Sequence, residues 1–383
     1  MSIFISIASY QDPLLVSTIF SAYGNAEMKD ELVFGICDQA EEPIKVHEFP
    51  FAKQIRHEHI DPVMAKGPCW ARHRVQNFYQ GEDYFLQIDS HTQFAPGWDK
   101  KFIGALETIA SKSTQDSYHL KPVITSYPRS FKVKDFTAGL FELNSGDRNT
   151  QIMTYMKDAL FCQGSFSRQV GFPTHSEKIT HAFVLAAGCL FSKGSFVEEI
   201  PYDPNYYFYG EEISMMLRAF TRGYSFFHIP DVPLFHLYTD VENLPRKLHW
   251  DPADDVNRVT KWHELDRRSI QRLDDLVAGK LEGLMGLGSS RTLAEYALFS
   301  GMDIQNKQIL DLTDLVIPAH MAEGRSHLAI GFGCTGGKHR SVTMVEILEK
   351  DLQLRGWHVT IRHRELVEQI TYKSTHKNWD LDG

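Results

Sequence analysis

The chain has little cysteine. Its five cysteines, Cys37, Cys69, Cys162, Cys189 and Cys334, are scattered through 383 residues and odd in number. That excludes a disulfide framework and suits a reducing compartment. No apolar run approaches the length that spans a bilayer. There is no surplus of positive charge: a formal net charge of −9 argues against a protein-wide footprint for nucleic acid, while local basic patches leave RNA contact open. The opening "MSIFISIASYQD" has neither a basic leader nor a small-residue cleavage site and reads as a first strand. These absences point to a cytoplasmic location and no membrane partner. Internal repeats and low-complexity segments are absent too. What is present is ordinary material for packed cores, 43% hydrophobic and 23% charged, in a chain longer than one core usually holds.

Strand-like and helix-like segments alternate in the first third. "IFISIASY", "LVFGICDQ" and "DYFLQID" read as strands, "PLLVSTIFSAYGNA" and "GPCWARHRVQNFY" as helices. Such alternation implies an α/β fold with a largely parallel sheet, whose ligands sit beyond the carboxyl ends of the strands. Asp38 and Asp89 fall at such ends. Residues 110–180 read as mixed and loop-rich. "EEISMMLRAFTRG" reads as an amphipathic helix ended by Gly223, "YSFFHI" and "VPLFHLY" as strands, and "GLMGLGSSRTLAEYALFSG" as a glycine-rich turn. A strand–loop–helix–strand unit starts near residue 326.

Asp89-Ser90-His91 ends a core strand. Side chains two apart on an extended chain point the same way, so Asp89 and His91 can reach one divalent cation, and a carboxylate with an imidazole suits manganese better than calcium. The same tripeptide also reads as a capping Asp and a surface His. Arg72 and Arg74 lie near a Gly-Pro helix start that offers free N–H groups to an anion, or are solvated helix charges. Glu211 and Glu212 read equally as helix N-terminal acids and as carboxylates for sugar hydroxyls beside the aromatic "YDPNYYFY". His236 reads as a core residue or a third metal ligand. His57 and His59, two apart, read as a ligand pair or, more simply, as exposed residues on an irregular segment.

The ordered set "SIASYQDP", "GICDQ", "GPCWAR", "YFLQIDSHTQFAPGWD", "AAGCLFSKGSFVEEIPYDPNYYFYGEEIS", "LFHLY" and "LGSSRTLAEYALFSG" resembles glycosyltransferase family sixty over residues 2–305. That family includes cytoplasmic polypeptide hydroxyproline N-acetylglucosaminyltransferases. A looser likeness runs to the polypeptide N-acetylgalactosaminyltransferases. The resemblance implies a GT-A fold (the Rossmann-like nucleotide-diphospho-sugar transferase fold), a UDP-GlcNAc donor, Mn2+ or another divalent cation, and transfer to a polypeptide hydroxyl acceptor with retained configuration. It implies Asp89, His91 and His236 as metal ligands and Arg72 facing the diphosphate. It further implies Ser9, Tyr10 and Asp38 in the uridine pocket, and Gly188 and Glu211 against the sugar with Glu212 close by.

"GCTGGKHRS" holds Cys334, Thr335, Gly336, Gly337, Lys338, His339, Arg340 and Ser341. Consecutive N–H groups in a glycine-rich turn before a helix make an anion nest, and the C-x5-R-S spacing matches phosphatase phosphate loops. With "EGRSHLAIGFGCTGGKHRSVTMVEIL" and "VTIRHREL", the segment 320–366 resembles the C-terminal domain of the RNase adapter RapZ, in partial form. That resemblance implies recognition of a phosphorylated amino sugar. The expected organisation is a catalytic domain at 1–250, a helical extension at 251–310 and a small C-terminal α/β unit at 311–383. Two rival readings stay open: a regulatory protein that senses a phosphosugar or contacts RNA, and a phosphatase centred on Cys334.

Overall fold

Apolar residues at almost every position leave "IFISIASY" no polar face, and it forms a buried central strand, β1 (Ile3–Tyr10). The structure is a computed structural model that describes residues 1–114, 117–144, 146, 148–155, 169–174, 177–238, 244, 246–306 and 308–309, then only 349, 350, 352, 353, 356 and 358–361. After β1 come α1 (Leu15–Asn25), β2 (Leu32–Gln39), β3 (Ile55–Ile60), α2 (Pro68–Gln76), β4 (Tyr84–Asp89), β5 (Thr92–Phe94) and α3 (Trp98–Ala110). Next are β6 (Lys121–Thr125), β7 (Arg129–Asp135), β8 (Leu140–Leu143), β9 (Gln151–Tyr155), β10 (Gln169–Pro173), β11 (Thr180–Ala182) and β12 (Cys189–Lys193). Then follow α4 (Phe196–Glu199), α5 (Glu211–Thr221), β13 (Tyr224–His228), β14 (Leu234–His236), α6 (Pro252–Asp255), α7 (Trp262–Val277) and α8 (Leu293–Ser300).

One eight-stranded sheet organises the fold, in the order β3-β2-β1-β4-β12-β6-β13-β11. β3, β2, β1 and β4 run parallel, and β12 runs antiparallel to β4 and β6. The α/β fold expected from the alternating segments is the one observed. In-register pairing sets Ser9 beside Asp38 and Ala8 beside Asp89, so the expected polar residues arrive together at the carboxyl ends of the strands. A second, four-stranded sheet, β5-β14-β7-β8, begins directly after the β4 end. β14 pairs antiparallel with β5, His236 opposite Thr92, and the Leu237 N–H donates to the His91 carbonyl at 3.1 Å. This pairing brings His236 to the Asp89 turn.

The structure corrects three readings. The segment of His57 and His59 is not irregular but forms β3, the edge of the large sheet. An edge strand with solvent on one side tolerates the alternating charge of "IRHEHI". Residues 110–180 contain five strands among the described residues. The 283–301 stretch is not all turn: α8 carries a capping box in which Thr292 Oγ1 accepts from the Glu295 N–H and Glu295 accepts from the Thr292 N–H. Leu293 and Tyr296 of α8 are buried in the same apolar cluster as Phe220 of α5, and the Tyr296 hydroxyl donates to the Phe183 carbonyl at 2.6 Å. The chain divides into compact units at Met1–Leu315 and Val316–Gly383. Among the described residues no helix is long and apolar enough to cross a membrane.

Candidate active site

Asp89 ends β4, and the turn behind it delivers His91. One ligand atom from each of Asp89, His91 and His236 lies within 4.8 Å of the others. His236 Nε2 stands 3.1 Å from Asp89 Oδ2, and His91 Nε2 stands 4.0 Å from the same oxygen. His236 Nδ1 is buried with no hydrogen-bond partner. One carboxylate and two imidazoles, the three donors found among the described residues, suit a divalent transition ion that also takes substrate oxygens. The residues present therefore fit the divalent cation expected from the sequence.

Arg72 is buried on α2 and forks between two carboxylates. Its Nη2 lies 2.6 Å from Asp89 Oδ1, and its Nη1 pairs with Glu211 Oε1. α2 starts at Gly67 (φ 94°) and Pro68, and packs Cys69, Arg72, Val75 and Gln76 inward at helical spacing. Burial works against the Asp89 carboxylate, but the His236 hydrogen bond and the Arg72 guanidinium hold its pKa far below the ordinary carboxylate value. Burial opposes charge on Arg72 as well, and the facing Glu211 reverses that effect.

Glu211 and Glu212 open α5 behind Gly210 (φ 82°), where the helix macrodipole favours acids. Glu211 is taken up by Arg72. Glu212 accepts the Ala187 N–H at 2.8 Å. Burial pushes the Glu212 carboxyl up to about 8, with the Ala187 N–H opposing and Glu211 adding to the rise. The next residue, Gly188, lies against the metal triad: a Cβ there would stand 2.7 Å from Asp89 Oδ2. Gly188→Ala is expected to push the Asp89 carboxylate off the imidazoles and lower Mn2+ affinity about tenfold or more. The backbone needs no unusual conformation at this glycine, so the melting temperature should change little. Calorimetric Mn2+ titration of the folded variant checks this.

Ser9 and Asp38 are buried at adjacent strand ends. The Ser9 hydroxyl has no partner, whereas Asp38 accepts the Ile44 N–H at 2.9 Å. Tyr10 is held by residues that sequence reasoning missed. Its hydroxyl donates to Asp254 at 3.2 Å and accepts from the buried Arg258. Its ring meets the His249 ring edge-on at 5.1 Å. His249 Nδ1 lies 2.9 Å from the Tyr207 hydroxyl and Nε2 lies 3.1 Å from the Ala65 carbonyl. A carbonyl can only accept, so Nε2 carries the proton; burial pushes the His249 pKa down to about 4, so the ring is neutral at pH 7. Asp12 was missed as well: its Oδ2 lies 2.7 Å from His91 Nδ1. The available signal was an Asp two residues beyond the β1 end. The expected anion loop, Cys334 to Ser341, lies outside the described residues.

The profile of the family described as Glycosyltransferase (GlcNAc) matches residues 41–285, well over half of the chain. The chain belongs to this glycosyltransferase family. In its sheet β12 runs antiparallel between β4 and β6, as part of the α/β fold that the sequence pointed to. A second profile, the RapZ C-terminal domain, matches residues 288–367. That match begins at Gly288 and so takes in α8, which the sequence reading had grouped with the glycosyltransferase resemblance.

Curated proteins match this family member over short stretches. A nucleotide-binding protein of Ruegeria sp. (strain TM1040) is 56% identical over 62 residues, 16% of this chain and 21% of that one. Another, of Dinoroseobacter shibae, is 57% identical over 58 residues, 15% and 19% of the respective chains. The chain spans about a fifth of the length of these relatives. Among solved structures, GalNAc-T7 with UDP, GalNAc and Mn2+ aligns with a TM-score of 0.47 at 11% identity, covering 85% of this chain and 58% of that one. Staphylococcus aureus TarS 1–349 in complex with UDP-GlcNAc aligns with a TM-score of 0.37 at 11% identity, covering 73% of each.

Proposed function

We propose that the chain moves N-acetylglucosamine from UDP-GlcNAc to a hydroxyl of a polypeptide acceptor, with retained anomeric configuration and a bound Mn2+ ion. The observation that carries this reading is the convergence of Asp89, His91 and His236 at the carboxyl edge of the sheet in a member of a GlcNAc glycosyltransferase family. When bound, the ion supplies positive charge against the diphosphate as it leaves. Ser9, Tyr10 and Asp38 form the uridine end. Gly188 leaves room beside Asp89 for the sugar, and Glu211 and Glu212 border it from the α5 N-terminus. Arg72 holds Asp89 and Glu211 in place and presents its charge toward the diphosphate.

The bond from the anomeric carbon to the phosphate oxygen breaks, and a bond to the acceptor oxygen forms on the same face. The acceptor proton passes to the departing phosphate oxygen, so the reaction needs no dedicated base. The domain reading is a catalytic domain at 1–250, its helical extension at 251–310 and a tail at 311–383. The tail's Cys334–Ser341 loop would bind a phosphorylated amino sugar, a reading supported by the RapZ C-terminal match. The cytoplasm is the compartment that suits such a donor.

A donor screen tests the proposal. UDP release is measured from a panel of UDP-sugars without acceptor, with and without Mn2+. Slow release from UDP-GlcNAc that requires Mn2+ is the expected result. Absence of metal-dependent release from every UDP-sugar overturns the reading.

A further inference from the structure

The two imidazoles of the triad are held differently. His236 Nε2 faces Asp89 Oδ2 at 3.1 Å, and its Nδ1 is buried without a partner. His91 is fixed from behind: its Nδ1 lies 2.7 Å from Asp12 Oδ2. The Asp12 side chain is only 6% exposed, and its remaining capacity is filled. Oδ1 accepts the Leu14 N–H at 2.9 Å, and Oδ2 also accepts the Ser90 hydroxyl at 2.9 Å. Arg246 Nη1 stands 3.7 Å from Oδ2 and balances its charge.

A carboxylate so engaged can only accept. The proton of neutral His91 therefore sits on Nδ1, and Nε2 presents a bare lone pair toward Asp89 and His236. The chain accepts local strain to deliver this carboxylate. Gln11, between Tyr10 at the β1 end and Asp12, adopts φ 43°, a left-handed conformation that costs a non-glycine residue about 1 kcal/mol or more. Gln11 is tied on several sides. Its N–H donates to the Gln39 carbonyl at 2.9 Å, its Nε2 reaches the Tyr10 hydroxyl at 3.1 Å and Asp254 at 3.2 Å, and Lys247 donates to its Oε1 at 2.9 Å.

We propose that Asp12 is a positioning residue for the metal site, fixing the His91 tautomer and ring so that Nε2 is free to ligate a divalent cation. The proposal rests on the metal-dependent reading given above. It sets the two histidines apart: His91 is held from behind by Asp12, whereas His236 Nδ1 has no partner. The competing role for Asp12 is a helix start, since Oδ1 takes the Leu14 N–H ahead of α1.

Asp12→Asn separates the two roles, because an Asn side-chain oxygen accepts the N–H two residues on as an Asp oxygen does. With its oxygen on the Leu14 N–H, the amide nitrogen would face His91 Nδ1 and donate to it, forcing the proton to Nε2. The test uses the full chain. Mn2+ affinity in the presence of UDP is measured by electron paramagnetic resonance, and the melting temperature is recorded alongside. Loss of a carboxylate behind a ligating histidine is expected to weaken Mn2+ binding by about 10–100-fold, with the melting temperature held. Nitrogen-15 NMR of the metal-free protein at mildly alkaline pH, assigned with His91→Gln, reads the tautomer directly. The wild type is expected to show a protonated Nδ1 and Asp12→Asn a protonated Nε2.

A folded Asp12→Asn that binds Mn2+ as the wild type does overturns the proposal. So does a wild-type His91 protonated at Nε2, a measurement that needs no variant to fold. Failure of the wild type to bind Mn2+ sinks the metal-dependent reading instead, so the two failures are distinguishable.

Discussion

Asp89→Ala is expected to abolish turnover. UDP release from UDP-GlcNAc, with or without acceptor, should fall by about a thousandfold or more, because the substitution removes the charge that leaving-group stabilisation rests on. Asp89 is the hub of the site: Oδ2 faces both imidazoles and Oδ1 takes Arg72. Removing it leaves two imidazoles, a weak pair for a hard divalent ion. The fold should survive, since Arg72 keeps Glu211 and the β4 backbone ladder is untouched. Asp89→Asn should be nearly as inactive although it preserves volume. UDP release and a melting curve on the same preparation check the outcome. Near-normal turnover by Asp89→Ala in metal-free buffer would remove the ion from the mechanism.

Arg72→Ala is expected to give the largest loss of stability among single substitutions at the site, about 3–5 kcal/mol. The guanidinium is the cation that faces Asp89 and Glu211 at once, and Glu212 lies close enough to feel both. Without it, Asp89 and Glu211 lose the guanidinium that pairs with both, and buried carboxylate charge is left uncompensated. Arg72→Lys should rescue poorly, because one ammonium cannot reproduce a planar fork. Mn2+ should restore part of the loss by mass action, through binding the folded state alone. Arg72→Met with Glu211→Gln should lose less than Arg72→Ala, since it removes the opposing charges together. Urea unfolding with and without Mn2+ measures all of these. A midpoint for Arg72→Ala equal to that of the wild type would show that the fork contributes nothing.

The parallel half of the sheet was legible because β1, β2 and β4 are buried on both faces and spell apolar runs. Their polar ends were legible for the same reason, as Asp38 and Asp89 interrupt those runs. β3 was not, because an edge strand half in solvent looks like charged coil. α8 hid behind the glycines that precede it, although its Thr292 and Glu295 capping pair was present in the sequence. From residues alone, His236 looks like core. Its place beside Asp89 depends on β14 pairing with β5, which lies far upstream, and no local pattern encodes that. The Arg72 fork was hidden likewise, since its partners stand on β4 and α5. Asp12 is closest to a missed signal, a carboxylate just past a strand end whose use depends on the left-handed turn at Gln11.

The junction between the two ancestries is woven into the fold. The glycosyltransferase match stops at Met285 and the RapZ match starts at Gly288. Around that point Arg218 donates to the Leu284 carbonyl, Arg222 to those of Gly283 and Gly286, and the Gly288 N–H to Thr221 Oγ1. Just beyond it, Tyr296 fills a gap against Phe220 and ties down Phe183, five residues ahead of Gly188. A gene cut at the ancestral boundary would strip one wall from the glycosyltransferase interior and leave the excised tail wearing a greasy stub. The scissors belong after Leu315, where the first compact unit ends.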